Sequence, residues 1–229
     1  MKVGVLLPTF RDQASDAQRV AAVAVDAGLD GLFAYDHIWP IGSPERPAVA
    51  PFPLLARLAC EYGDVISLGP LVARVGLVGA EVLIGQCRAL HHLAPGRVIS
   101  GLGTGDRQSE PENEAYGIVT QTVDERRSQL RKVASELLAD TEVWIGAGSP
   151  KTNAIARELG ATLNVWNVAA SEVSTSALEG PTNWAGNARD DVEVQLDELT
   201  AAGATWAIFA PGVDVRRLAT WRRRHVEKG

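Results

Sequence analysis

A chain of 229 residues with 46% hydrophobic and 22% charged side chains has enough apolar material for a full core and is most economically one domain, residues 1–229. Its net charge of −6 argues against a phosphate-backbone partner, so nucleic acid is not expected. No stretch approaches about eighteen consecutive apolar residues, so no membrane span is expected, and Cys60 and Cys87 stand apart without metal or disulfide spacing, as reduced thiols.

The chain opens on the apolar run KVGVLL, which predicts a strand over 3–7 with no targeting segment ahead of it, and hence a cytoplasmic protein. A helical period over 14–27 and a strand over 31–35 follow. The Pro-rich PIGSPERPAVAPFP, 40–53, reads as a long loop after that strand. Next come a strand over 65–72, a helix over 81–93, a strand over 97–102 that runs into GLGTGD, and a helix over 123–139. A strand over 143–145 leads to GAGSP, which opens a further helix, and then to a strand over 162–166. Residues 171–181 read as loop rather than a firm sixth helix, ahead of a short strand over 182–184. A helix over 191–202, a strand over 206–210 and a helix over 213–225 complete the chain, the basic run WRRRHVEK forming the solvated face of the last helix. Gly28, Gly160 and Gly203 each stand between an amphipathic run and a strand, where glycine closes a helix in the left-handed conformation. Eight strands alternating with helices in this way predict a compact α/β fold, a (β/α)8 TIM barrel.

Active sites of such barrels lie at the C-terminal ends of the strands. There the chain offers Thr9 and Phe10; Asp36, His37 and Trp39; Ala73 and Arg74; 103–107; Gly148 and Ser149; Asn167; Gly186 and Asn187; and Pro211 and Gly212. His37 is the sole histidine at a strand end and is a candidate acid or base. Asp36 is its neighbour, but adjacent residues on a strand point to opposite faces, so an Asp–His couple does not follow. Asp106 reads equally as an acid or base and as a cap for the segment after it. No Gly-x-Ser-x-Gly elbow or strand-end Cys supplies a nucleophile, and no metal-ligand spacing occurs. So few reactive side chains point to a cofactor. GLGTGD is not the dinucleotide fingerprint and GAGSPKTNAIARELG is not a P-loop. The second still places Gly148 and Ser149 at a helix start, where free N–H groups receive a phosphate as readily as they are capped. Trp166 and Trp184 read as barrel packing rather than as ring-stacking residues.

The segments RVISGLGTGD, LGPLVARVGLVGAEVLIGQCRALHHLAPG, GLFAYDH and VWIGAGSPKTNAIARELGATLNVW together resemble the bacterial luciferase-like monooxygenase superfamily, nearest its branch that uses coenzyme F420, a deazaflavin. The similarity covers nearly the whole chain, in order. It implies a barrel holding F420, or FMN as the alternative, at its mouth, and hydride transfer to or from a small organic substrate. By this similarity His37 handles the proton and Asp106 matches an acidic residue that is often Glu in relatives. Cofactor contacts are implied at Asp36, His37, Gly103, Thr104, Gly105 and Asp106. A non-prolyl cis peptide against the ring is implied at Leu71 and Val72, and the phosphate at Gly148 and Ser149. Trp39 is the candidate substrate contact, although relatives often place a Trp at the position of Ile41. Relatives also insert a long excursion between the fourth helix and the fifth strand, which SELLADTEVWIG lacks. The missing cover leaves three possibilities: an open pocket, one closed by a second subunit in a homodimer, or a noncatalytic flavin or deazaflavin binder. A phosphate-site lyase or isomerase ranks last, because no Lys stands at a strand end.

Overall fold

A computed structural model describes residues 1–10, 14–39 and 48–226. Its strands are β1 (Lys2–Leu6), β2 (Gly31–Ala34), β3 (Ser67–Pro70), β4 (Ala73–Arg74), β5 (Ile99–Gly103), β6 (Glu142–Gly146), β7 (Thr162–Trp166), β8 (Thr182–Gly186) and β9 (Trp206–Phe209). Between them run α1 (Ala14–Asp26), α2 (Pro51–Tyr62), α3 (Ala80–Leu93), α4 (Glu110–Ala115), α5 (Val123–Leu137), α6 (Pro150–Leu159), α7 (Ala170–Ala177) and α8 (Val192–Ala201), with α9 (Val215–Val226) last. All the strand pairs are parallel, in the order β3-β2-β1-β9-β8-β7-β6-β5-β4. The ends of that series meet at a bridge between Leu68 and Val98, where the Leu68 N–H donates to the Arg97 carbonyl at 2.9 Å. The result is a barrel of parallel strands wrapped by helices.

Nine strands occupy eight places in the ring. The strand expected over 65–72 is shorter, β3 paired to β2, and a second short piece, β4, lies beyond it and pairs with β5. They are separated at Leu71–Val72, whose peptide bond is cis. Three other expectations are corrected. Residues 171–177 are not loop but part of helix α7, whose start is held by the Glu172 carboxylate accepting from the Ala169 N–H, and only 178–181 are non-helical. The short strand expected over 182–184 extends through Gly186, because pairing with both β7 and β9 gives its backbone partners on two sides. The loop expected over 40–53 gives way to α2 from Pro51, a residue suited to a first helical turn; its 40–47 part lies outside the described residues, as does Ile41.

Alternation along the strands divides the buried side chains into two sets. One faces the helices and includes Val3, Val5, Leu32, Leu102, Val143, Leu163 and Phe209. The other fills the barrel: Leu6, Phe33, Leu71, Ile99, Trp144, Ala185, Trp206 and Ile208. Within it Phe33 stacks on Trp144 at 5.1 Å, and Trp144 meets Trp206 at 5.4 Å. The barrel interior is therefore filled by aromatic rings.

Candidate functional site

The C-terminal ends of the strands open into a cleft of about 460 Å³. Phe10, Tyr35 and Trp166 make its aromatic side, Leu71 and Val72 its aliphatic side, and Asp36, His37, Arg74, Asp106 and Asn164 its polar groups. Phe10 stacks on Tyr35 at 4.9 Å and meets His37 edge-on at 5.4 Å. Trp166 contacts Tyr35 at 6.1 Å and remains 46% exposed at the rim. Burial pushes the Tyr35 hydroxyl up to about 12, so it stays neutral.

Beneath His37 lies a buried charge cluster. Asp36 and His37 follow β2 in the chain and, as the strand period requires, diverge. Asp36 turns to β4, where its Oδ2 accepts from the Arg74 N–H at 2.7 Å. His37 turns to α4, its Nδ1 lying 2.9 Å from Oε2 of Glu112. Glu112 is 1% exposed and also accepts from the Ile38 N–H and from both terminal nitrogens of Arg74, at 2.9 and 3.4 Å. Burial drives the Asp36 carboxyl above its ordinary value, although Arg74 opposes the rise. For Glu112 burial acts in the same upward direction, but His37, the Ile38 N–H and Arg74 outweigh it and hold the carboxyl below the ordinary value. Glu112 is thus the stable anion of the pair.

The glycines of GLGTGD have a packing cause. A Cβ on Gly101 would stand 2.1 Å from the Pro70 carbonyl oxygen, and one on Gly103 would stand 2.5 Å from the Val72 side chain. The bulged third strand presses against β5 and leaves no room for side chains there. Gly105 is different: its φ of +71° is a left-handed turn, which glycine adopts freely. Asp106 then caps the turn over 107–109, its Oδ1 accepting from the Ser109 N–H at 3.1 Å and the Ser109 hydroxyl at 3.2 Å.

Asp36, His37, Leu71, Val72, Gly105 and Asp106 therefore share the cleft. Gly103 and Thr104 stand behind it, the Thr104 carbonyl accepting from Arg126 at 2.8 Å. Trp39 packs against Tyr116 at 5.6 Å and is not part of the cleft wall. Gly148 and Ser149 lie at the start of α6, just beyond Gly146 and Ala147 of the wall. The Gly148 N–H donates to Asn153 Oδ1 at 2.9 Å, while Ser149 caps the helix and accepts from Arg127 at 2.9 Å. Trp184 is buried among the core side chains under the helices, whereas Trp166 reaches the rim.

Glu112 escapes sequence reading. Its contact with His37 spans 75 residues, and Glu110 and Glu114 in the same short segment are equally acidic but exposed. The density of acids after the Gly-rich loop was the one available signal. Tyr35, Gln108 and Asn164 also line the cleft, and no role was assigned to them from the sequence. No group of His, Cys, Asp and Glu suited to a metal ion occurs among the described residues, and no described helix is long and apolar enough to cross a membrane.

No protein-family model matches the chain, and no curated protein matches it in sequence. Solved structures match its fold. An F420-dependent secondary alcohol dehydrogenase, bound to an F420–acetone adduct, superimposes with a TM-score of 0.78 at 10% identity, over 96% of this chain and 97% of the other. A monooxygenase from Streptomyces bottropensis gives 0.76 at 12% identity, over 100% and 99%. The oxygenating constituent of 3,6-diketocamphane monooxygenase from Pseudomonas putida, in complex with FMN, gives 0.62 at 16% identity, over 91% and 66%. At these identities the likeness is one of fold.

Proposed function

We propose that the chain is a two-electron oxidoreductase of the luciferase-like superfamily, binding coenzyme F420 at the barrel mouth and acting on a small organic substrate. The observation that carries this reading is the cleft itself: aromatic and aliphatic walls suited to a planar ring, with one histidine at the edge. The fold is shared with enzymes whose names state F420 or FMN.

The residues present fit such a group. Phe10, Tyr35, Val72 and Trp166 would bound the ring, and Arg127 with Ser149 at the start of α6 would meet a phosphate, the guanidinium and the helix end both favouring an anion. When bound, the deazaflavin supplies the hydride acceptor or donor. The chain's own part is to orient the substrate, to exclude water with the aromatic wall and to move one proton at His37. Asp106 remains a second carboxylate on the wall, one oxygen given to its cap. Positioned proton transfer contributes on the order of 10²–10⁴-fold.

Titrating the purified protein with F420 and, separately, with FMN, and following absorbance and fluorescence, tests the reading. Saturable F420 binding with FMN weaker is expected. Submicromolar FMN binding with none for F420 would replace the deazaflavin by a flavin, and binding of neither would remove the oxidoreductase reading. His37→Ala is expected to keep cofactor binding and lose about 10²-fold or more in turnover; turnover at the wild-type rate would contradict the role given to His37.

A further inference from the structure

We infer that Glu112 is a positioning residue: it keeps a hydrogen on His37 Nδ1, leaving Nε2 to exchange a proton on the cleft side. The catalytic meaning of this arrangement rests on the oxidoreductase reading above, whereas the tautomer itself is a property of the chain.

The argument is an inventory of hydrogens. Around Glu112, Oε1 receives the Ile38 N–H and Arg74 Nη2, while Oε2 receives Arg74 Nη1 and faces His37 Nδ1. A carboxyl surrounded by this many donors is held as the anion, and an anionic carboxylate can only accept. The hydrogen between Glu112 and His37 therefore belongs to the imidazole. At 1% exposure Glu112 has no water to substitute for any of these donors. His37 Nε2, on the other edge of the ring, has no partner among the described residues, and the residue lines the cleft.

The remaining charged groups near His37 do not compete for it. Asp36 is turned to the Arg74 backbone, Arg74 is engaged with Glu112, and the Asp106 carboxylate is given to Ser109. The Phe10 ring fixes the imidazole from the side, and Tyr35 behind it stays neutral. The acid coupled to His37 thus comes from α4 rather than from the residue directly after the Gly-rich loop. With a carrier bound to take the hydride from the substrate carbon, Nε2 would receive the proton of the substrate hydroxyl, leaving a carbonyl product and an imidazolium. Glu112 faces that new positive charge across the Nδ1–H bond.

The direct test is the two-bond ¹H–¹⁵N spectrum of ¹⁵N-histidine-labelled protein, without cofactor, at the alkaline limit of the His37 titration. His37→Gln identifies its signals against those of His91, His92 and His225. A dominant Nδ1–H form is expected, and Glu112→Gln, whose amide can accept or donate at that site, should raise the Nε2–H share. In the loaded enzyme the same substitution should lower kcat by at least about tenfold with little change in KM, and Glu112→Asp should restore part of it. A dominant Nε2–H form in the unsubstituted protein overturns the inference without need of any variant. An unchanged tautomer in Glu112→Gln, or an unchanged kcat, does so as well. If neither F420 nor FMN binds while the Nδ1–H form is seen, the oxidoreductase reading falls and the tautomer assignment stands.

Discussion

Arg74 sets one positive charge between two carboxylates, Asp36 and Glu112, and all three side chains are less than a tenth exposed. Desolvation makes such a cluster costly to break from one side, because the charge left behind has no water to turn to. Arg74→Met should therefore lower unfolding stability by about 3–5 kcal/mol in urea denaturation, and a loss below about 1 kcal/mol would show that the cluster is solvated in the folded protein. Asp36 gives a pH signature. Its folded-state value lies above the ordinary 3.8, so the native protein holds that proton more firmly than the unfolded chain does. The stability that this confers is present in acid and is lost as pH rises from about 3.8 through the higher folded value. Asp36→Asn carries no such proton. Its melting temperature relative to the unsubstituted protein should therefore rise as pH is raised from below 4 to 7, and a flat or falling difference would mean that Asp36 is not desolvated.

At the scale of elements, β5 and the broken third strand are packed as a unit. Gly101→Ala drives a Cβ to within 2.1 Å of a backbone oxygen, which no rotamer change relieves. It should cost about 1–3 kcal/mol or more by chemical denaturation. Gly85, exposed within α3 with nothing within 4 Å of a new Cβ, is the control: Gly85→Ala should stabilise by roughly 0.5–1 kcal/mol. Equal effects at the two positions would refute the packing cause assigned to the Gly-rich segment. These elements also show what the chain makes legible. Helix stops at Gly28, Gly160 and Gly203 all take positive φ, because the left-handed cap is a local matter that one residue decides. The same locality made the Ser149–Pro150 helix start readable. Helix α7 was not, since ASEVSTSA has one fully buried side chain, Val173, and shows no apolar period. Glu112 was beyond reach because nothing near it in the chain marks a partner in the segment after β2.

For the whole molecule, the packed interior and the open mouth divide the work. Phe33, Trp144 and Trp206 pack together inside the barrel, below the cleft. The connection from α5 to β6 is residues 138–141, which leaves no excursion there to cover the site. Asp106, Gln108, Ser109 and Trp166 form part of the wall at the mouth, while α4 places Glu112 under His37. Charge is arranged to match: Arg127 stands at the α6 start, outside the aromatic wall, and the Asp36–Arg74–Glu112 cluster lies beneath it. On the proposed reading, a carrier with a flat ring and an anionic tail would place its ring at the aromatic wall and its tail at the start of α6. The most direct measurement is a crystal structure of the protein with oxidised F420. The account predicts ring density between Val72 and Trp166 with its edge at His37, and the tail toward Ser149 and Arg127. A cleft filled by Phe10, Tyr35 and Trp166 themselves, with the carrier absent or bound elsewhere, would contradict it.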